Sequence, residues 1–559
     1  MVLNYKLPLR YIPFLSFIDA NYNYTGSFNW QRGSDALANV LSNNGTALGV
    51  VHTLQNANTK SLAGSISFDR LYRILGLKKG VAKFSPLVQK RLVEKQQQQG
   101  ENAKEEKKKK DNSVLKKIVD GLSTIKRIQF NYSENNGKVL PGYLQSVGGF
   151  GTLDPSFGFV MGSQDDVRYE AARNGYLTSF PNFNEPFTQL HNSKLTVTAQ
   201  FNPFKDFIVD LNAERTYSEN IRENFQVVDQ EYVPLNSNVF GNFGISTLLL
   251  KTAFNKTRGV TNVAFDVFRA NRYAIAQRLA TESSLSVSDL GREGFPSGYG
   301  KEQQDVLVAA FLSAYTDTNP EKINLDPIQS VPLPNWNLKY TGLSSLKAFK
   351  NVFNRFSITH AYRASYTLTN FQTNLDFDPA NPFQRDDAGN IVPERLYSNI
   401  NLVEQFNPLL RLDVEFKNSL KILAELKRDR ALSLSLDNSL LTESSGNEYV
   451  LGMGYQIRDL RIRTNINGRR TTLSGDLNLK ADMSYRRNIT VLRNLDYNNN
   501  QVTAGQTLLS VKFTADYNLS RNLTTLFFYD HNFSKFEVST AFPQTSIRSG
   551  FTLRYNFGN

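Results

Sequence analysis

The 559-residue chain reads as all-β, an antiparallel transmembrane outer-membrane β-barrel segment of about fourteen strands. A few loop helices complete the expectation, and the strands are read as the C-terminal part of a single larger barrel. Three observations carry this. Apolar and polar residues alternate with period two, the mark of a strand with two unlike faces. Many alternating stretches exceed ten residues, whereas soluble strands average ~5–6 and transmembrane strands need ~9–11. The connections are lopsided, tight at one end and long at the other, as in outer-membrane barrels.

From the N-terminus, strands are expected at roughly 17–31, 60–72, 125–135, 193–203, 206–219, 334–342 and 354–371, then 400–417, 420–437, 447–459, 473–489, 505–518, 521–533 and 545–557. The alternation is clearest late in the chain. Leu477, Leu479, Phe513 and Tyr517 fall on the apolar parity and are expected to face lipid. Asp476, Lys480, Asp482, Lys512 and Asp516 fall on the other, as do Arg411, Asp413 and Glu415 in an earlier strand. A face mixing both signs cannot pack as a dry core without many paired charges, so these eight are expected to face a wet lumen. Trp30, Trp336, Tyr340, Tyr455, Tyr517 and Tyr555 lie near strand ends.

The tight turns are Asn202–Asp206, Lys417–Leu420 and Leu519–Asn522. If the last strand runs down to a periplasmic C-terminus, all three lie on the periplasmic side. The long excursions near 136–192, 220–333 and 372–399 then lie outside. Two helices, at about 263–281 and 303–314, show apolar spacing at i, i+3, i+4 and belong to the large extracellular loop 220–333. A Lys/Gln-rich insert at 73–124 falls on the periplasmic side. From Lys78 to Lys117 it holds 13 Lys+Arg against 5 Asp+Glu, so +8 of the chain's net +13 sits there. Few aromatics interleave with those lysines, so a solvated loop is expected and no nucleic-acid partner.

Composition excludes several chemistries. With zero cysteines there is no disulfide framework, thiol nucleophile or Cys-ligated metal. No run of 18 apolar residues occurs, and the mean hydropathy is −0.39. His52, His191, His360 and His531 are scattered, without metal-ligand spacing. Gly148–Gly151 lacks the context of a phosphate loop. Nothing assembles an active site, so neither catalysis nor a cofactor or metal is expected. The opening Met1–Pro8 segment does not read as a signal peptide.

The last strand ends Arg548-Ser549-Gly550-Phe551-Thr552-Leu553-Arg554-Tyr555-Asn556-Phe557. Arg548, Gly550, Leu553, Tyr555 and Phe557 resemble the C-terminal signal read by outer-membrane assembly machinery, although Gly558 and Asn559 follow the final aromatic. Longer stretches resemble the SprA/Sov family: Asn202–Asp206 with Arg215–Asn220, Pro334–Leu343, His360–Arg363, Asn401–Pro408 and Leu477–Asp482. Tyr11–Leu15 and Asn21–Arg32 are similar too.

That family comprises the outer-membrane translocons of the type 9 secretion system of Bacteroidetes. The resemblance implies a 36-strand single-chain barrel, of which this chain would be the C-terminal portion. It implies export of folded proteins bearing C-terminal secretion domains, gliding adhesins among them. A lateral opening is implied, with a PorV-like barrel and a periplasmic plug protein as partners. The other expected partners are outer-membrane lipid and the remaining N-terminal part of the barrel. Two other readings stay open: a self-contained 14-strand porin or lipid/solute transporter, and an extracellular β-rich adhesion or binding protein.

Overall fold

The computed structural model describes residues 1–43, 45, 47–74, 125–147, 151–255, 257–258, 261–466, 469–497, 499–519, 522–538 and 542–557. Sixteen antiparallel strands form one sheet. They are β1 (Val2–Lys6), β2 (Ile18–Gln31), β3 (His52–Ser67), β4 (Ile125–Tyr143), β5 (Phe187–Phe201), β6 (Phe207–Val228), β7 (Glu231–Ser246) and β8 (Asn335–Tyr340). There follow β9 (Phe353–Thr373), β10 (Arg395–Phe416), β11 (Leu420–Ser435), β12 (Leu440–Ile466), β13 (Arg469–Asn494), β14 (Gln501–Asn518), β15 (Leu523–Phe536) and β16 (Gln544–Tyr555). Among the described residues β1 and β16 do not pair with each other, so the sheet has two open edges.

All fourteen expected strands are present, and two more appear. β1 pairs with β2 in the register Val2↔Thr25 to Lys6↔Asn21, so the edge is β1 and not the strand near 17–31. β7 occupies part of the stretch expected to be loop, and β6 itself runs on to Val228. The 220–333 excursion is therefore a strand hairpin first and an insertion second. The strand expected at 60–72 ends at Ser67, after which α1 (Phe68–Ile74) begins. Residues 75–124, most of the Lys/Gln-rich insert, lie outside the described residues, as do 148–150.

The end that carries Asn202–Asp206, Lys417–Ser419 and Leu519–Asn522 is here the lower end. Tight turns are not confined to it: Asp229-Gln230 and Leu436–Ser439 close hairpins at the upper end. These strands overshoot, so their hairpins turn well beyond the sheet's middle.

β7 and β8 share one lane. Both lie antiparallel between β6 and β9, β7 in the upper half and β8 in the lower. The chain leaves the lane after Ser246 and returns at Leu333, whose N–H donates to Ser246 O at 2.9 Å. Side chains fill in for the missing backbone. Ser246 Oγ accepts the Glu214 N–H at 3.0 Å, and Asn335 Oδ1 accepts the Ala364 N–H at 2.7 Å. Both are backbone donors, the Ala364 N–H buried and the Glu214 N–H partly buried, that the missing strand leaves without a backbone partner.

The excursion forms a helical module. α4 (Val263–Glu282) is capped by Asn262, whose side chain accepts the Ala264 N–H at 2.9 Å. α5 (Gln304–Thr316) reads Val-Leu-Val-Ala-Ala-Phe-Leu-Ser-Ala-Tyr from 306 to 315, apolar nearly all round, and all ten of those residues are buried. α4 and α5 fall within two residues of the spans read from the sequence. No helix among the described residues is long and apolar enough to cross a membrane. Two short helices, α2 (Phe157–Val160) and α3 (Arg168–Arg173), belong to the connection between β4 and β5.

Candidate functional site

Register partners share a sheet face, so the register resolves the sheet into two surfaces. Arg411 pairs with Glu425, Glu425 with Val450, Val450 with Ser484 and Ser484 with Ser510. By this chain Arg411, Asp413 and Glu415 in β10 share a face with Asp476, Lys480 and Asp482 in β13 and with Lys512 and Asp516 in β14. Leu477, Leu479, Phe513 and Tyr517 occupy the opposite face, where Leu477 meets Tyr517 and Ala481 meets Phe513.

On the polar face the charges are joined across five strands. Arg355 Nη2 lies 2.8 Å from Asp413 Oδ1, and Arg411 lies 3.7 Å from Asp413 and 4.0 Å from Glu425. Lys427 bridges Glu425 at 3.8 Å and Glu448 at 3.4 Å. Arg486 ends the ladder on Glu448 at 3.1 Å and Asp429 at 3.0 Å. Four cations thus alternate with four carboxylates from β9 to β13. Such partly solvated pairs contribute about 0–1 kcal/mol each, so the ladder is not what holds the sheet together. It is a surface on which charge of both signs is tolerated.

The rest of the expected polar set is less connected. Asp476 accepts from Gln456 Nε2 at 3.2 Å and from the Asp459 N–H at 3.1 Å. Among the described residues Glu415, Lys480, Asp482 and Lys512 form no ion pair within 4.0 Å, although Asp482 and Lys512 are register partners. Arg355, Glu425, Lys427, Asp429, Glu448 and Arg486 were not singled out from the sequence. Each lies on the polar parity of its own strand, but the ladder exists only across strands.

A cavity of about 1070 Å³ opens on the polar face over β4–β6 and β8–β10. Its lining includes Arg127, Gln200, Asp210, Lys339, Arg363, Arg411 and Asp413. The register shifts here, between Thr359 and Arg363 in β9 and between Phe406 and Leu410 in β10. Trp336, Asn337, Tyr362, Gln405 and Asn407 also line it, so the stretches Pro334–Leu343, His360–Arg363 and Asn401–Pro408 converge at this one place. No group of residues able to hold a metal ion occurs among the described residues.

The opposite face is apolar in its lower half. One row reads Leu426, Tyr449, Tyr485, Leu509 and Phe533 across β11–β15. Three rows below runs Leu420, Tyr455, Leu479, Ala515, Phe527 and Phe551. Among the described residues nothing packs over most of this belt: Tyr449 is 53% exposed, Met453 46% and Phe551 77%, while Tyr517 at its foot is buried, its hydroxyl donating to Leu460 O at 2.9 Å. From Leu509 to Tyr517 the strand rises about 27 Å at ~3.4 Å per residue. A tilt of roughly 35–45° brings that to ~20 Å, close to the ~25 Å apolar band of outer-membrane barrels.

Over β9–β12 the upper half of the same face is covered. α4 and α5 pack over Tyr366, Leu368, Ile400, Leu402, Leu432, Leu434 and Leu441 in one core. Two buried ion pairs pin them. Arg430 lies 3.0 Å from Glu404, which also accepts from Tyr362 Oη at 2.9 Å. Arg430 then donates to Thr252 O at 3.1 Å and Thr252 Oγ1 at 3.0 Å, within the excursion. Arg493 lies 2.7 Å from Glu443, which accepts from the α4 cap Asn262 at 2.9 and 3.0 Å. At the N-terminus of α5, burial holds the Asp305 carboxyl above its ordinary value. The β4–β5 connection covers β2–β4 in the same way, with Asn58 Nδ2 donating to Gly162 O at 2.6 Å. Phe159, Val167 and Ala171 sink into a second core there with Leu54 and Leu140.

In β16, Arg548 lies 2.8 Å from Asp530. Gly550 sits under the Phe528 ring, where an added Cβ would come within 3.0 Å of it. Leu553 and Tyr555 point to the apolar face, and Phe557 lies beyond the strand.

No protein-family model matches the chain. No curated protein is significantly similar to it either. Among solved structures, the ferric-catecholate import receptor Fiu from K12 E. coli, in its closed form, aligns with a TM-score of 0.26 and 8% identity. That alignment covers 97% of this chain and 63% of the receptor. The ferric yersiniabactin uptake receptor FyuA from Yersinia pestis aligns with a TM-score of 0.23 and 6% identity, over 96% of this chain and 58% of the receptor. The chain spans about three fifths of the length of each.

Proposed function

We propose that the chain forms part of the wall of an outer-membrane channel, its polar face toward water and its bare apolar belt toward lipid. The observation that carries this is the two-faced sheet. One surface holds an unbroken charge ladder and a polar cavity, the other an exposed apolar belt of membrane height. A soluble sandwich would bury one face against a second sheet. The described residues supply no second sheet large enough to cover this belt.

Within that reading, we propose a protein-conducting channel of the SprA/Sov kind, exporting folded proteins with C-terminal secretion domains by type 9 secretion. The ordered resemblance and its convergence on one cavity support this. The open edges β1 and β16 fit a segment whose neighbours are further strands of the same barrel, better than a self-contained porin. The remaining N-terminal strands, a PorV-like barrel and a periplasmic plug protein are the partners this reading calls for. No bond is made or broken, and no cofactor is needed.

The chain has no cysteine, so single-cysteine labelling has no background. In intact outer membranes, Lys480→Cys and Lys512→Cys should react with a membrane-impermeant maleimide. Leu479→Cys and Phe513→Cys should react only with a lipid-soluble reagent. Equal labelling of both sets sinks the wall. A photocrosslinker at position 512 should also capture exported proteins in secreting cells, and capture of none would remove the secretion reading while leaving the wall standing.

A further inference from the structure

Directly above the topmost row of the apolar belt, the register aligns one more row on the same face. Arg428 pairs with Asn447, Asn447 with Arg487, Arg487 with Thr507 and Thr507 with Lys535. Three cations therefore stand at one height on alternate strands, about 10 Å apart at ~4.8 Å per strand. Below each lies an apolar or aromatic residue, in turn Leu426, Tyr485 and Phe533. Among the described residues neither Arg428 nor Lys535 has a carboxylate within 4.0 Å. The guanidinium of Arg428 is 5.0 Å from the Phe254 ring of the helical module, which fixes its height. Arg487 is half exposed and pairs with Glu537 at 3.1 Å. The row carries three positive charges against that single acid.

We propose that this row binds anionic phosphate headgroups of the membrane leaflet at the upper end of the barrel. The inference rests on the membrane reading of the belt. Charge complementarity and position argue it together. A cation row resting on a lipid-facing belt stands at the depth where acyl chains end and headgroup phosphates begin. A polar face of mixed sign would gain nothing by such a one-signed row. Guanidinium groups match phosphate oxygens in two-pronged geometry, and the Lys535 ammonium adds a point charge. By fixing lipid against the wall beside the helical module, the row would set the vertical position of that module above the bilayer.

The full chain would be inserted into phosphatidylcholine bilayers with and without lipid A as the anionic probe. Lipid A retained per protein would be counted by native mass spectrometry. Arg428→Gln/Arg487→Gln/Lys535→Gln should retain roughly 30-fold less than the unaltered chain, two fully effective cations being worth about that. A charge-matched control on the other face, Arg355→Gln/Arg411→Gln/Lys427→Gln, should retain lipid A normally. Equal loss in both variants, or in neither, overturns the site. Displacement by millimolar inorganic phosphate would overturn the lipid assignment in favour of a free-anion site. Heat-modifiable gel mobility in phosphatidylcholine alone keeps the two readings apart. If the unaltered chain does not insert there, the membrane reading fails first; if all three insert equally, only the headgroup site is under test.

Discussion

Leu426 and Leu432 lie on the same face of β11, yet Leu426 is 36% exposed and Leu432 only 1%. The same contrast divides the sheet. In β9–β12 the upper part of this face is sealed by α4 and α5, whereas no described position of β15 or β16 is buried at any height. One parity thus serves two solvents. Where the module covers it, apolar side chains pack as a protein core. Where it does not, the wall proposed above leaves lipid to remove them from water. Charges follow the same division: Arg430 and Arg493 enter the covered part only with buried carboxylate partners, and the bare belt below Arg428 in β11–β14 carries none.

The largest effect should come from breaking the covered region. Arg430→Ala leaves Glu404 buried without its cation, which costs about 3–5 kcal/mol. The module should come loose, and limited proteolysis should cut the 247–334 excursion while the strands below stay protected. A double change, Glu404→Leu with Arg430→Met, should recover most of the loss, since well-packed apolar residues often replace a buried pair without penalty. Failure of the double variant to recover would show that the pair's hydrogen bonds to Thr252 matter more than its charge.

The bare region should break differently. Phe513→Arg puts a charge in the middle of the belt, at a cost of ~2–4 kcal/mol near the bilayer midplane. Lys512→Ala, one residue away on the polar face, should cost little. Measured as the fraction of chain inserted into bilayers, equal effects would show that the two faces are wrongly assigned.

How far the sequence revealed this contrast depends on what each feature needs. Strands such as β13 and β14 were legible because Leu477–Tyr485 and Leu509–Tyr517 alternate without interruption. β7 was not, because Pro234, Gly241 and Gly244 break its pattern. Its first half pairs with β6 alone, where a proline N–H is not missed, and Gly241 lies too close to Ser218 O for any side chain. The helices were legible from spacing, but not their place. That depends on the chain returning at Leu333 to the lane it left at Ser246, 87 residues earlier. The ladder from Arg355 to Arg486 was hidden for a similar reason, since only strand register brings Lys427 to Glu448.

A smaller effect tests the module's own electrostatics. Burial raises the Asp305 carboxyl above its ordinary 3.8, although Gln303 and Gln304 hydrogen bonds oppose the shift. The folded state therefore holds that proton more tightly than the unfolded chain. The stability this contributes is full below 3.8 and is lost as pH rises through the folded value. Asp305→Asn removes the cost of burying the charge. The variant should melt higher than the unaltered chain at neutral pH and alike in acid below 3.8. A lower melting point at neutral pH would mean that the carboxylate's hydrogen bonds to Gln303 and Gln304 outweigh its burial.

The smallest effect is expected at the bare edge. Arg548 and Asp530 approach as closely as Arg430 and Glu404, at 2.8 Å against 3.0 Å, but the Arg548 side chain is 76% exposed. Distance alone would rank the two pairs as equals. Solvent separates them: an exposed pair gives up little hydration and gains little, typically under about 1 kcal/mol. Arg548→Ala should therefore leave thermal stability nearly unchanged, and what it removes should vanish at high salt. Strand assembly is a separate readout. If Arg548→Ala slows insertion while leaving the melting point of inserted chain unchanged, the residue acts during assembly of the edge and not in holding it. If it lowers the melting point as far as Arg430→Ala does, then β16 is not bare in the membrane, and something covers its polar face that this chain does not supply.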